Sequence, residues 1–152
     1  PLPESQLDRF LMRIQLGYPD AQAERALLQG KDRREMLAQL QPCLDPQELA
    51  ALQQSVSQVF VSDALLDYVQ TLIHFTRQTP RFLHGLSPRA GLGLLHGARA
   101  WAFSDGRKEV LPEDVQAILP AVAGHRLRPG AEFAGESGAA LAQYLLASVA
   151  IP

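Results

Sequence analysis

His84 to Arg107, HGLSPRAGLGLLHGARAWAFSDGR, announces a helix with an unusually well-marked start. Ser87 supplies an N-cap oxygen, Pro88 takes the first helical position, where a missing N–H costs nothing, and Arg89 follows at once. A helix N-terminus carries partial positive charge, so an arginine there is locally disfavoured unless an anion meets it. The free N–H groups and the guanidinium would then bind that anion together. Phosphate is the obvious candidate, although first-turn arginines are also common on solvated surfaces. Leu94, Leu95, Ala98, Trp101 and Ala102 form the face expected to be buried. Gly91, Gly93 and Gly97 each lower helix stability by roughly 1 kcal/mol relative to alanine, which points to close approach of another backbone or a ligand. Asp105-Gly106 stops the helix.

Working outward, the pattern stays helical. Ser62 caps a helix with Leu65, Leu66, Val69, Leu72 and Ile73 on one face, ended by Pro80. Pro112-Glu113-Asp114 restarts the chain as a helix to about Val122, interrupted or ended near Pro120. The extended piece Glu109 to Leu111 before it is expected to bridge with Phe60-Val61. A last amphipathic helix follows the turn Arg128 to Gly138 and runs to about Val149. Upstream, Asp20 caps a helix through Gln29, a polar stretch Lys31 to Glu35 follows, and Asp45-Pro46-Gln47-Glu48 opens a further helix with a capping box.

The N-terminus differs. Pro3 and Glu4 suit the first turn of a short helix to about Arg9, after which Met12, Ile14 and Leu16 alternate with Arg13 and Gln15 in strand periodicity up to Gly17-Tyr18-Pro19. A single strand cannot satisfy its own backbone groups, so its partners are expected elsewhere, in a longer protein of which this chain is the C-terminal part. Arg9 sits at the helix-to-strand junction, where on its own it reads as half of a local ion pair with Asp8.

Composition narrows the class. The 152 residues, 47% hydrophobic and 20% charged, suffice for one real core. No apolar run reaches about 18 residues and no secretory signal is visible, so a cytoplasmic protein is expected. The single Cys43 and four scattered histidines match no zinc spacing. The net charge of −2 hides a basic middle, because residues 77–128 carry +4. Its aromatic residues do not interleave with the basic ones as a nucleic-acid stacking platform requires.

PLPESQLDRFLMRIQLGYP at 1–19, YVQTLIHFTR at 68–77 and the long run from GLSPRA through GR and PEDV to HRL closely resemble, in order, the C-terminal part of MoxR-family AAA+ ATPases. The resemblance implies a mainly α fold. Residues 1–19 would be the remnant of the αβα nucleotide-binding core, a short helix and one strand with the hinge, and residues 20–152 the helical-bundle lid. It further implies that Arg9 is the arginine finger reaching the γ-phosphate in a neighbouring subunit, and that Arg89 is the sensor 2 residue touching the γ-phosphate of its own subunit. Ser87, Pro88, Tyr18 and Pro19 would help bind nucleotide, and Gly17-Tyr18-Pro19 would be the hinge. Arginine suits both roles, since its rigid fork donates to two phosphate oxygens and cannot lose its proton.

The chain departs from a complete ATPase. Gly30-Lys31 is followed by Asp32 and has Arg25 where the first glycine of G-x-x-x-x-G-K-[ST] belongs, so there is no P-loop here. No strand ending in an acidic pair for magnesium appears either. The intact protein is therefore expected to use ATP and magnesium within a homo-oligomeric, hexameric ring, as a chaperone-like factor with a von Willebrand A-domain partner. This chain alone is expected to bind no cofactor and to be inactive. Two other readings stay open: a non-enzymatic helical module whose basic middle docks acidic protein, and a nucleic-acid-binding lid of a related AAA+ branch.

Overall fold

A computed structural model describes residues 3–30 and 36–151; the polar stretch 31–35 lies outside the described residues. The helices are α1 (Glu4–Leu7), α2 (Ala21–Gln29), α3 (Pro46–Ser57), α4 (Asp63–Gln78), α5 (Pro88–Ser104), α6 (Pro112–Ala123) and α7 (Gly138–Ser148), with a short 3-10 turn at Ala131–Phe133. Contacts divide the chain into two compact units, Pro1–Arg13 with Gln54–Pro152, and Ile14–Gln53. This division does not follow the 1–19 and 20–152 boundary read from the sequence.

The smaller unit is built on local signals. Asp20 Oδ1 accepts from the Ala23 N–H at 2.7 Å. At Asp45 the capping box closes in both directions: Oδ1 accepts from Gln47 and Glu48, and the Asp45 N–H donates to Glu48 Oε2 at 2.8 Å. Neither α2 nor α3 has a buried residue.

The larger unit is a bundle of α4 to α7 around Leu72, Leu94, Leu119, Leu141 and Leu145, all fully buried. Helix α4 buries Leu65, Tyr68, Val69, Leu72 and Thr76, while Leu66 lies outside the expected face. Helix α5 buries Leu94, Ala98 and Ala102 as expected and Ala90 besides, but Leu95 is only half-buried and Trp101 is 53% exposed. Helical period fixes the direction of a side chain around the axis; it does not tell whether a neighbour covers an indole at the last turn. The α5 glycines seat apolar side chains rather than a backbone or ligand. A Cβ would come within 2.6 Å of Ile73 Cδ1 at Gly91, 3.1 Å of Leu11 Cδ1 at Gly93 and 2.6 Å of Ile118 Cδ1 at Gly97.

The end of α5 is a Schellman turn. Gly106 has φ +75, its N–H donates to Phe103 O, and the Arg107 N–H donates to Ala102 O, both at 2.9 Å. Helix α6 runs through Pro120 to Ala123 rather than ending there, because a proline in the last turn removes a single N–H and the Pro120 carbonyl still accepts from Gly124 at 3.0 Å. The expected bridge forms in parallel between Phe60 and Glu109, and a second, antiparallel, joins Phe82 to Pro129.

Leu11 to Leu16 is not a strand in a ladder. It is held by one backbone bond, from the Arg13 N–H to Ala121 O at 2.8 Å, and Ile14 and Leu16 stay exposed. Alternation alone makes no strand where no neighbour among the described residues offers an edge.

Candidate anion-binding cleft

The start of α5 is fastened to α4 by two adjacent residues. The buried Thr76 hydroxyl donates to Ile73 O at 2.7 Å and accepts from the Leu86 N–H at 2.9 Å. Arg77 Nε and Nη2 donate to the Leu86 carbonyl at 3.0 and 2.9 Å. Gly85 lets the loop lie flat on α4, since a Cβ there would stand 2.8 Å from Arg77 Cα. Ser87 then caps α5, accepting from the Ala90 N–H at 3.1 Å, with the exposed Pro88 next to it.

The same Ser87 hydroxyl donates to Asp8, at 2.8 Å to Oδ1 and 3.0 Å to Oδ2. Asp8 Oδ1 also accepts from Arg126 Nε at 3.0 Å, and the Arg126 side chain is only 6% exposed. All five of its N–H donors are used. Nη2 donates to the carbonyls of Asp8 and Phe10, and Nη1 to those of Leu11 and Val122. Beside it, His125 places Nε2 3.2 Å from Phe10 O and Nδ1 3.2 Å from Ala121 O. Burial pushes the His125 pKa down and the neighbouring Arg126 and Arg13 charges add to this, outweighing the two carbonyls.

With Asp8 committed to Ser87 and Arg126, the local Asp8–Arg9 ion pair suggested by the sequence does not form. Arg9 and Arg89 instead line one cleft of about 190 Å³ with Asp8, Leu92, His96 and Arg126. Both arginines are exposed, and among the described residues neither guanidinium has a hydrogen-bond or ion-pair partner. Because Arg126 and Asp8 neutralise each other, the cleft keeps two unmatched positive charges at the positive end of α5. Such a place suits an anion with several oxygens.

Tyr18 and Pro19 belong to the Ile14–Gln53 unit, in which the Tyr18 side chain is fully exposed. The basic middle is largely spent inside the fold: Arg77 on Leu86, Arg81 on Glu136, Arg107 on Asp114 and Arg126 on the N-terminal segment. Among the described residues no group of three or more His, Cys, Asp or Glu could hold a metal ion, and no helix is long and apolar enough to cross a membrane.

Residues 74–144 match the AAA lid domain. Over 136 residues the chain is 37% identical to the chaperone MoxR1 of Mycobacterium tuberculosis, covering 84% of this chain and 36% of that protein. The chain belongs to the MoxR family of AAA+ proteins. It is also 33% identical over its whole length to the uncharacterized protein YeaC of Bacillus subtilis, covering 48% of that protein. A crystal structure of a candidate ATPase from Cytophaga hutchinsonii superposes with a TM-score of 0.86 at 29% identity, over 100% of this chain and 49% of that one. The chain thus spans about half the length of these relatives or less. Asp8 and Arg126 both lie within the motifs that carry the MoxR likeness, but nothing in the sequence pairs residues 118 positions apart.

Proposed function

We propose that this MoxR-type AAA+ lid works in an ATP-hydrolysing ring, with Arg9 as the arginine finger and Arg89 as sensor 2. The observation that carries this reading is the shared cleft: two guanidiniums with no partner among the described residues, beside a capped helix start, as a phosphate group requires. Bound ATP and magnesium would supply the transferring phosphoryl group and the remaining charge compensation; this chain has no P-loop, so other segments must hold them. Its own residues would stabilise charge, Arg9 and Arg89 donating to oxygens of the γ-phosphate and Ser87 holding the helix end at which they meet.

Arg9 is assigned to the nucleotide of a neighbouring subunit. The sequence resemblance assigns Arg89 to that of its own. A cleft common to both favours one phosphate for the pair, so that Arg89 too reaches across the subunit boundary. The ring, hexameric and cytoplasmic, would act as a chaperone-like assembly or maturation factor, with a von Willebrand A-domain protein as partner and Gly17-Tyr18-Pro19 as the hinge.

The test is subunit mixing in the intact ATPase. Arg9→Ala should abolish turnover while nucleotide still binds, and mixing it with a P-loop variant should restore part of the activity. The same mixing with Arg89→Ala separates its two assignments, since only an arginine acting across subunits is complemented. Wild-type turnover in both single variants would end the proposal.

A further inference from the structure

Asp8 stands between the two arginines' supports and has no role in the reading above. Its carboxylate accepts from the Ser87 hydroxyl, from which Arg89 is two residues away, and from Arg126 Nε. Arg126 in turn grips the carbonyls of Asp8, Phe10 and Leu11, the segment that carries Arg9. We propose that Asp8 is the positioning residue of the two-arginine cleft, joining the Ser87 cap to Arg126 and so setting where Arg9 stands relative to Arg89. The inference rests on the reading of that cleft as a phosphate site.

A carboxylate lining an anion site opposes the anion, so discarding its charge should by itself tighten binding. If Asp8 instead holds the two guanidiniums at a spacing that one polyphosphate can bridge, removing the charge loosens binding. Asparagine has the size of aspartate but cannot give both Ser87 and Arg126 a charged acceptor.

The experiment uses the full 152-residue chain and tripolyphosphate as probe, followed through backbone amide signals and the arginine Nε–H signals. Wild type should bind, and Arg9→Ala and Arg89→Ala should each weaken binding. Asp8→Asn should weaken it about tenfold, the size of one lost charge-assisted hydrogen bond. In an Arg9→Ala background the same change should cost less than about twofold, because there is no second guanidinium left to place. Asp8→Glu keeps the charge but moves it by one methylene, so it too should weaken binding; this variant decides the matter if Asp8→Asn does not fold, and wild-type affinity in it overturns the positioning role. Tighter or unchanged binding by Asp8→Asn, or an equal loss in both backgrounds, overturns the positioning role and leaves the cleft reading intact. Wild-type binding that is absent, or indifferent to both arginine substitutions, overturns the cleft reading and this inference with it.

Discussion

Arg107 and Asp114 meet through two N–H···O contacts of 2.6 and 2.5 Å, and Asp114 as a whole is 1% exposed. Burial would push the Asp114 carboxyl up, yet the Arg107 bonds and the Leu111 N–H at 2.8 Å outweigh it and hold it below the usual carboxylate range. The pair ties the end of α5 to the start of α6.

A carboxyl with a lowered folded-state pKa contributes stability that is complete above its unfolded value and is lost as pH falls through the folded one. Unfolding midpoints should therefore decline on acidification below about pH 4, the ordinary carboxylate value. Asp114→Asn should flatten that decline and cost about 2 kcal/mol at neutral pH, the scale of a hydrogen bond to a charged group. Denaturant titrations at pH 7 and pH 3 read both effects.

His125 titrates with the same sign at higher pH. Its folded-state value is lowered, so the unfolded chain takes up the proton first, and stability present above the ordinary histidine value is lost as pH falls through the lowered one. Comparing denaturation midpoints at pH 7.5 and 5.5, wild type should lose stability on acidification and His125→Gln should lose less.

Gly85→Ala and Gly97→Ala make a contrasting pair. At Gly85 the new Cβ meets Arg77 Cα and N at 2.8 and 2.9 Å, which no rotamer change relieves, so a loss of about 1–3 kcal/mol is expected even when Arg77 is also truncated. At Gly97 the tightest neighbour is the tip of Ile118, and helix propensity returns up to about 1 kcal/mol, so the change should be close to neutral. Thermal unfolding of the two variants checks the difference.

Arg126→Lys should free the N-terminal segment while the bundle stays folded. Lysine has three donors where Arg126 uses five, and cannot span the carbonyls of Asp8, Phe10 and Leu11. Hydrogen exchange should show the Arg13 amide losing protection and amides in α4 and α6 keeping theirs. Unchanged protection at Arg13 would contradict this.

What the sequence made legible is what short-range chemistry determines. The caps at Asp20, Asp45, Ser62 and Ser87 need only a polar side chain near the first free N–H groups, and each forms as read. Even the Phe60–Glu109 bridge was readable, since both pieces lead into helices. The exposure of Trp101 and the missing ladder at Leu11 to Leu16 depend on what lies alongside, which periodicity does not encode. The two arginines of the cleft were visible through their motifs. Their common support, Asp8 with Arg126, joins opposite ends of the chain and only the fold displays it.

Leu86 has both polar atoms of its backbone gripped by consecutive residues of α4. The junction between α4 and α5 is therefore braced at Leu86 and is not a free loop. A displacement of Arg89 should reach α4 through this brace, and at 1.5 Å per residue that helix would carry it about 24 Å, from Gln78 to Ser62. The pair of helices would then work as a lever arm, with Gly85 packed against Arg77 at its joint.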